Sequence, residues 1–288
     1  MDKNFKILIA GGDMRQMYCA ESLAEKYDVY VKGFDREHFP DSMKSNELKN
    51  ETDIKFDCAV LPVPPLDDDG MLSAPCFSGK ISAYDIKKML LPESVVFAGR
   101  TDGKLAEIFD DSEICDYMLR EELSLRNAVP TAEGAVQIAL EELPVTLNGL
   151  KVLIIGMGRI GTALAEILKG FGADITVAVR NRKGAARASI HGVKAVYTNK
   201  IDTDYGLVFN TVPTLIFDRS ILADFGKETL FIDLASKPGG IDISSAAELG
   251  IKVIWALGLP GKTAPVTSGE IIAETIDGML GERRETNA

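Results

Sequence analysis

Lys151-Val152-Leu153-Ile154-Ile155-Gly156-Met157-Gly158-Arg159-Ile160-Gly161-Thr162-Ala163-Leu164-Ala165-Glu166-Ile167-Leu168 is the stretch on which the reading of this chain turns. An apolar run ending at Ile155 reads as a buried strand, and the segment from Ile160 reads as a helix. Three glycines at G-x-G-x-x-G spacing are informative only between such a strand and such a helix, which is where they stand. Gly156 permits the tight turn, Gly158 lets backbone N–H groups approach a pyrophosphate at the helix amino terminus, and Gly161 allows close helix–strand contact. The segment predicts a Rossmann-type domain with Gly156, Gly158, Arg159, Ile160 and Gly161 at a nicotinamide dinucleotide.

Working outward, the alternation continues with strand candidates at 175–179, 207–210, 230–234 and 253–256. Rossmann domains that take NAD place an acid about 20 residues beyond the glycines, at the end of the second strand. Here that strand runs into Arg180-Asn181-Arg182-Lys183, and Asp174 sits at its start, the wrong end for the ribose. Arginine's planar fork suits a phosphate, so the cations of this turn, with Arg180, Asn181 and Arg182 in the expected cofactor set, are placed for a 2′-phosphate. NADP(H) is the expected cofactor, with NAD the alternative. Thr211 and Pro213, just past the strand 207–210, complete the set.

At 288 residues the chain has room for two domains. A strand Lys6 to Ala10 leads into Gly11-Gly12 and a helix-length stretch; further strand patterns follow at 29–32, 58–61 and 95–98. The expected fold is α/β: two Rossmann-like, doubly wound domains with a cleft between them, joined by a connecting helix that starts at Pro130. Their expected bounds are 1–129 and 130–267, with a last helix over 269–280 packing back on the first domain and a frayed tail after Gly281. Pro62 to Gly70, with Asp67, Asp68 and Asp69, reads as a loop at a strand's carboxyl end.

The balance of 32 basic and 43 acidic residues gives a charge of −11, which disfavours nucleic acid and anionic membranes as partners. Apolar runs fall short of a membrane span and no signal peptide pattern opens the chain, so a cytoplasmic protein is expected. Four scattered cysteines read as ordinary thiols. Two histidines, His38 and His191, leave little material for a metal site or a serine–histidine triad, and no metal is expected.

Gly11-Gly12-Asp13-Met14-Arg15 lies between strand and helix but lacks the third glycine, which points to a small anion rather than a second dinucleotide. Arg15 could hold a carboxylate or make a surface salt bridge; Asp13 could cap the helix or act as acid or base. In Asn127-Ala128-Val129-Pro130-Thr131-Ala132-Glu133-Gly134, Thr131 reads as a helix cap and Glu133 as a first-turn acid. Asp233 to Gly240 and Ala256 to Pro265 read as rigid Gly/Pro loops, each with one lysine, Lys237 and Lys262, placed for an anionic substrate or merely solvated.

GGDMRQ, NAVPTAEG, GMGRIG, DLASKPGGID and GLPGKTAPVTSG, in this order, resemble the A subunit of dipicolinate synthase across nearly the whole chain. The resemblance implies NADP-dependent formation of pyridine-2,6-dicarboxylate during sporulation, a flavoprotein-like B subunit as partner, and work in the mother-cell cytoplasm. It matches nothing in residues 35–57 or the acidic loop. The substrate would be a cyclic dihydro- or hydroxytetrahydro-dipicolinate, a small dicarboxylate held by Arg15, Lys237, Lys262 and Thr131, with Asp13 or Glu133 removing the proton. The rival readings are a dehydrogenase or reductase of another small imino or keto dicarboxylate, and a non-catalytic protein that only binds a dinucleotide. A homo-oligomer is compatible with each.

Overall fold

The computed structural model of the chain describes residues 2–48, 53–67 and 69–287. Residues 49–52 and Asp68, within the stretches to which the sequence assigns no role, lie outside the described residues. Two compact units are present: residues 1–126 with 264–288, and residues 127–263.

In the first unit the order is β1 (Asp2–Ala10), α1 (Met14–Ala24), β2 (Tyr27–Lys32), β3 (Phe56–Val60), α2 (Ala83–Lys87), β4 (Leu90–Ala98), α3 (Gly103–Ile108), β5 (Glu113–Asp116) and α4 (Glu121–Arg126). The strands form one parallel sheet, β2-β1-β3-β4-β5. Period-two alternation sends Ile7 and Ile9 into the core on one face and Leu8 and Ala10 into the core on the other. A sheet buried on both faces needs the near-continuous apolar strands that the sequence carries.

The second unit runs α5 (Ala128–Glu142), β6 (Lys151–Ile155), α6 (Arg159–Gly170), β7 (Asp174–Val179), α7 (Arg182–Ile190), β8 (Lys194–Tyr197), β9 (Leu207–Asn210), α8 (Arg219–Leu222), β10 (Leu230–Asp233), α9 (Ile243–Leu249), β11 (Lys252–Trp255) and α10 (Leu259–Thr263). Its parallel sheet has the order β11-β10-β9-β6-β7-β8, so the strand order reverses between β6 and β9. In the first unit it reverses between β1 and β3. Ligands of open α/β sheets bind outside the carboxyl ends of the strands at such reversals. Both units are therefore doubly wound and Rossmann-like.

The edge strands β5 and β8 carry no apolar run, being half-exposed along their length, and the sequence pattern passes over them. The chain's last helix, α11 (Pro265–Asn287), starts earlier and ends later than its apolar stripe predicts. Instead of fraying after Gly281 it continues, because Arg120 holds Glu282 through two guanidinium nitrogens at 2.8 and 2.6 Å. Ile272, Ile276 and Leu280 of α11 are buried with Met17 and Leu23 of α1 in one core. Ile276→Ala removes three buried carbons from that seam and is expected to cost about 3 kcal/mol, read as a lower urea midpoint at unchanged slope. Among the described residues no helix is long and apolar enough to cross a membrane.

Candidate functional site

At the strand reversal of the second unit the chain turns from β6 into α6 through Gly156, whose φ is +94°, a conformation that disfavours any side chain. Gly161 lets α6 lie against that turn: a Cβ there would stand 2.1 Å from the Gly156 carbonyl oxygen. Gly158 caps α6 without a side chain, and a Cβ there would meet nothing within 4 Å. An exposed helix amino terminus with open space in front of it suits a pyrophosphate, so the turn fits a dinucleotide. Arg159 and Ile160 open α6 behind it, with Ile160 packed partly into the core.

A cavity of about 550 Å³ opens here, floored by Gly156, Met157 and Gly158 and walled by Arg180, Asn181 and Lys183 on one side and Val212, Pro213 and Thr214 on the other. Of the residues expected at the cofactor beyond the glycine turn and its helix, Arg182 and Thr211 do not line it. Arg182 begins α7 and is exposed, while Thr211 donates its hydroxyl to the Ile155 carbonyl at 2.6 Å, tying β9 to the turn. Asn181 caps α7 by accepting from the Gly184 N–H at 3.0 Å. Lys183, one of the cations the sequence places in this turn, lines the cavity; so does Arg187, a cation the sequence reading did not single out, one helical turn on, which donates to the Met157 carbonyl at 2.9 Å. Its i,i+4 spacing from Lys183 on α7 is the signal that points to it.

Asp13 and Arg15, in the first unit, are joined to each other. Asp13 caps α1 by accepting from the Arg15 N–H at 3.0 Å, and its two oxygens take Nε and Nη2 of the Arg15 guanidinium at 2.8 to 3.1 Å. Burial works to lower the Arg15 pKa, and the hydrogen bonds and charge of Asp13 outweigh it, so the guanidinium is held above its ordinary value. The Gly12 N–H, which would face an anion at this turn, donates to the Ser73 carbonyl at 2.7 Å. Segment 72–74 thus fills the corner that the open Gly158 end leaves free in the second unit. Beneath it Tyr117 is fully buried, its phenol pushed up by desolvation, and it donates to the Leu61 carbonyl at 2.9 Å while Gln16 donates to it at 3.1 Å.

Thr131 is not a cap: α5 begins at Ala128, and the Thr131 hydroxyl donates back to the Asn127 carbonyl at 2.6 Å from inside the helix. Asn127 Oδ1 is buried without a hydrogen-bond partner among the described residues. Glu133 is exposed on α5 and pairs with no side chain among the described residues. Lys237 is exposed at the tip of the loop after β10, as the Gly/Pro pattern predicts. Lys262 is exposed on the short helix α10 rather than on a loop, because Leu259 buries itself against α5 and draws the segment into a helical turn. His191 closes α7 and shares a 2.8 Å hydrogen bond with Glu166.

Comparison with known proteins gives two family matches. Residues 6–118 match the N-terminal domain of the dipicolinate synthase A subunit, and residues 125–236 match the NAD binding domain of D-isomer specific 2-hydroxyacid dehydrogenases. The second match makes this unit a nicotinamide dinucleotide-binding domain of dehydrogenase type, in agreement with the open glycine turn. The dipicolinate synthase A subunit of Bacillus subtilis (strain 168) is 31% identical over 287 residues, covering 96% of both chains. Two crystal structures match along nearly the whole chain. The dipicolinate synthase A subunit from Bacillus halodurans has a TM-score of 0.88 at 28% identity, covering 97% of this chain and 99% of that one. The same protein from Bacillus subtilis has 0.85 at 29%, covering 98% and 97%.

Proposed function

The chain belongs to the family of dipicolinate synthase A subunits, and from that premise we propose that it dehydrogenates dihydrodipicolinate, or its hydroxytetrahydro precursor after loss of water, to dipicolinate. The observation that carries this reading is a dinucleotide-sized crevice whose neighbouring strand, β10, ends in a loop presenting a lysine. A nicotinamide dinucleotide held by the Gly156–Gly158 turn and the walls of the cavity would supply the hydride acceptor, and the ring that loses hydride and a proton becomes aromatic. NADP is the proposed cofactor, because Arg180 and Lys183 stand where the second strand meets its helix.

Lys237 and Lys262 are proposed to hold substrate carboxylate, each being exposed and without an ion-pair partner among the described residues. Thr131 donates its one hydroxyl proton to the Asn127 carbonyl, so it serves the same task only by turning that hydroxyl toward the substrate. Arg15 keeps both Nη1 hydrogens and one Nη2 hydrogen for a carboxylate, since Asp13 takes Nε–H and the other Nη2 hydrogen. Glu133 is the better candidate than Asp13 for removing the proton, because both Asp13 oxygens are engaged by the Arg15 guanidinium and no side chain among the described residues pairs with Glu133. The relatives' designation as A subunits supports a second subunit as partner; a flavoprotein-like character for it, and the mother-cell cytoplasm during sporulation as the setting, are proposed from the resemblance of the five motifs.

The match of residues 125–236 to 2-hydroxyacid dehydrogenases favours one alternative, turnover of another small imino or keto dicarboxylate. The test is to mix purified chain, NADP+ and freshly prepared cyclic substrate, with and without the flavoprotein-like partner, and follow reduced cofactor and pyridine product together. Equal appearance of both supports the proposal; dinucleotide binding with neither product, partner present, sinks it. In the same assay Lys237→Ala should raise the substrate KM about tenfold, the worth of one charge-assisted hydrogen bond, while leaving dinucleotide affinity unchanged.

A further inference from the structure

Asn210 and Asp233 end the adjacent strands β9 and β10, stand in register, and are both buried. A carboxylate and a carboxamide withdrawn from water are costly unless their polar atoms are matched. Asp233 Oδ1 accepts from Asn210 Nδ2 at 2.7 Å and from the Ala235 N–H at 3.0 Å, and Oδ2 accepts from the Gly240 N–H at 2.8 Å. Asn210 Nδ2 also donates to the Val212 carbonyl at 2.9 Å, and Oδ1 accepts from the Val212 N–H at 3.2 Å.

One pair of side chains therefore closes two loops. The first follows β9, and its residues 212–214 form a wall of the dinucleotide cavity; the second, residues 235–240, carries Lys237 at its exposed tip. The two are packed without slack, since a Cβ on Gly240 would come within 2.4 Å of Asn210 Nδ2 and 2.8 Å of the Val212 carbonyl oxygen. In a doubly wound domain the half containing β9 and β10 takes the second nucleotide of the dinucleotide, the one distal to the glycine turn's own half.

We infer that Asn210 and Asp233 are positioning residues that join the cavity wall to the Lys237 loop, so that a dinucleotide settling against residues 212–214 also orders the loop that presents Lys237. The task given to Lys237 rests on the proposed dehydrogenase reading; the coupling itself needs only a bound dinucleotide. Removing one partner breaks it because the other is left buried with unmatched groups.

The test is amide hydrogen exchange of residues 235–240 in the full chain, with and without NADP(H) and, in parallel, NAD(H). Dinucleotide should slow exchange of the wild-type loop about tenfold, within the usual range of coupling between sites. In Asn210→Ala the dinucleotide still binds with Kd within about threefold, and the loop no longer responds. Asp233→Asn, which keeps the side chain's size, gives the same comparison if the alanine variant does not fold. In steady state both variants lower kcat and raise the dicarboxylate KM while the dinucleotide KM holds. A purely structural role instead lowers Tm and dinucleotide affinity in step and leaves the loop responsive. An unresponsive wild-type loop, equal slowing in the variants, or a chain that binds neither dinucleotide overturns the inference. Absence of turnover alone counts against the proposed reaction and leaves the exchange result standing.

Discussion

Gly158→Ala is expected to abolish dinucleotide binding while leaving the protein as stable as the wild type. The new methyl group would meet nothing within 4 Å, and Gly158 has an extended backbone that alanine adopts without strain. An exposed substitution of this kind changes stability by no more than about 0.5 kcal/mol. The empty space is, however, the approach path of a pyrophosphate to the first N–H groups of α6. Losing two such charge-assisted contacts at about 1.5 kcal/mol each raises Kd about 100-fold or more. Gly161→Ala separates the two effects, because its methyl would collide with the backbone oxygen of Gly156. It should lose binding and also about 1–3 kcal/mol of stability. Fluorescence titration with reduced dinucleotide, paired with thermal melts, reads both. Wild-type affinity in Gly158→Ala would show that the dinucleotide does not rest on this turn.

The second large effect concerns the choice of dinucleotide. Replacing Arg180 and Lys183 together by alanine is expected to raise Kd for NADP(H) about 100-fold and to move Kd for NAD(H) by less than about threefold, since hydrogen bonds to a charged phosphate contribute about 1.5–3 kcal/mol each. Both side chains are exposed, so the preference should shrink as salt rises and the Debye length falls from about 10 Å at 0.1 M to about 3 Å at 1 M. Arg182→Ala is the control, because Arg182 does not line the cavity. Equal losses for both dinucleotides would assign the cations to the pyrophosphate and remove the basis for preferring NADP.

The residues that carry the fold announce themselves by local chemistry. Ile7 to Ala10 and Val152 to Ile155 read as buried parallel strands because a strand covered on both faces must be apolar throughout. The glycine turn reads as a dinucleotide site because each of its three glycines answers a separate steric demand within a few residues of chain. The same logic fails where a segment's environment is supplied from far away. The edge strands β5 and β8 lack a pattern since one side of each faces solvent, and α11 outruns its apolar stripe because Arg120, remote in sequence, holds its end.

Site residues divide in the same way. Sequence alone determined that the chain has two doubly wound domains, where the glycine turn lies, and that Arg180, Lys183 and Lys237 stand just past strand ends, for those depend on spacing along one strand–turn–helix unit. Only the tertiary structure decided that Asp13 spends itself on Arg15, that Ser73 fills the Gly12 corner, that Thr131 lies inside a helix, and that Asn210 and Asp233 brace two loops. Those facts are set by hydrogen bonds between groups brought together by folding. Which donor meets which acceptor across a sheet or a turn has no signature in the spacing of the residues themselves.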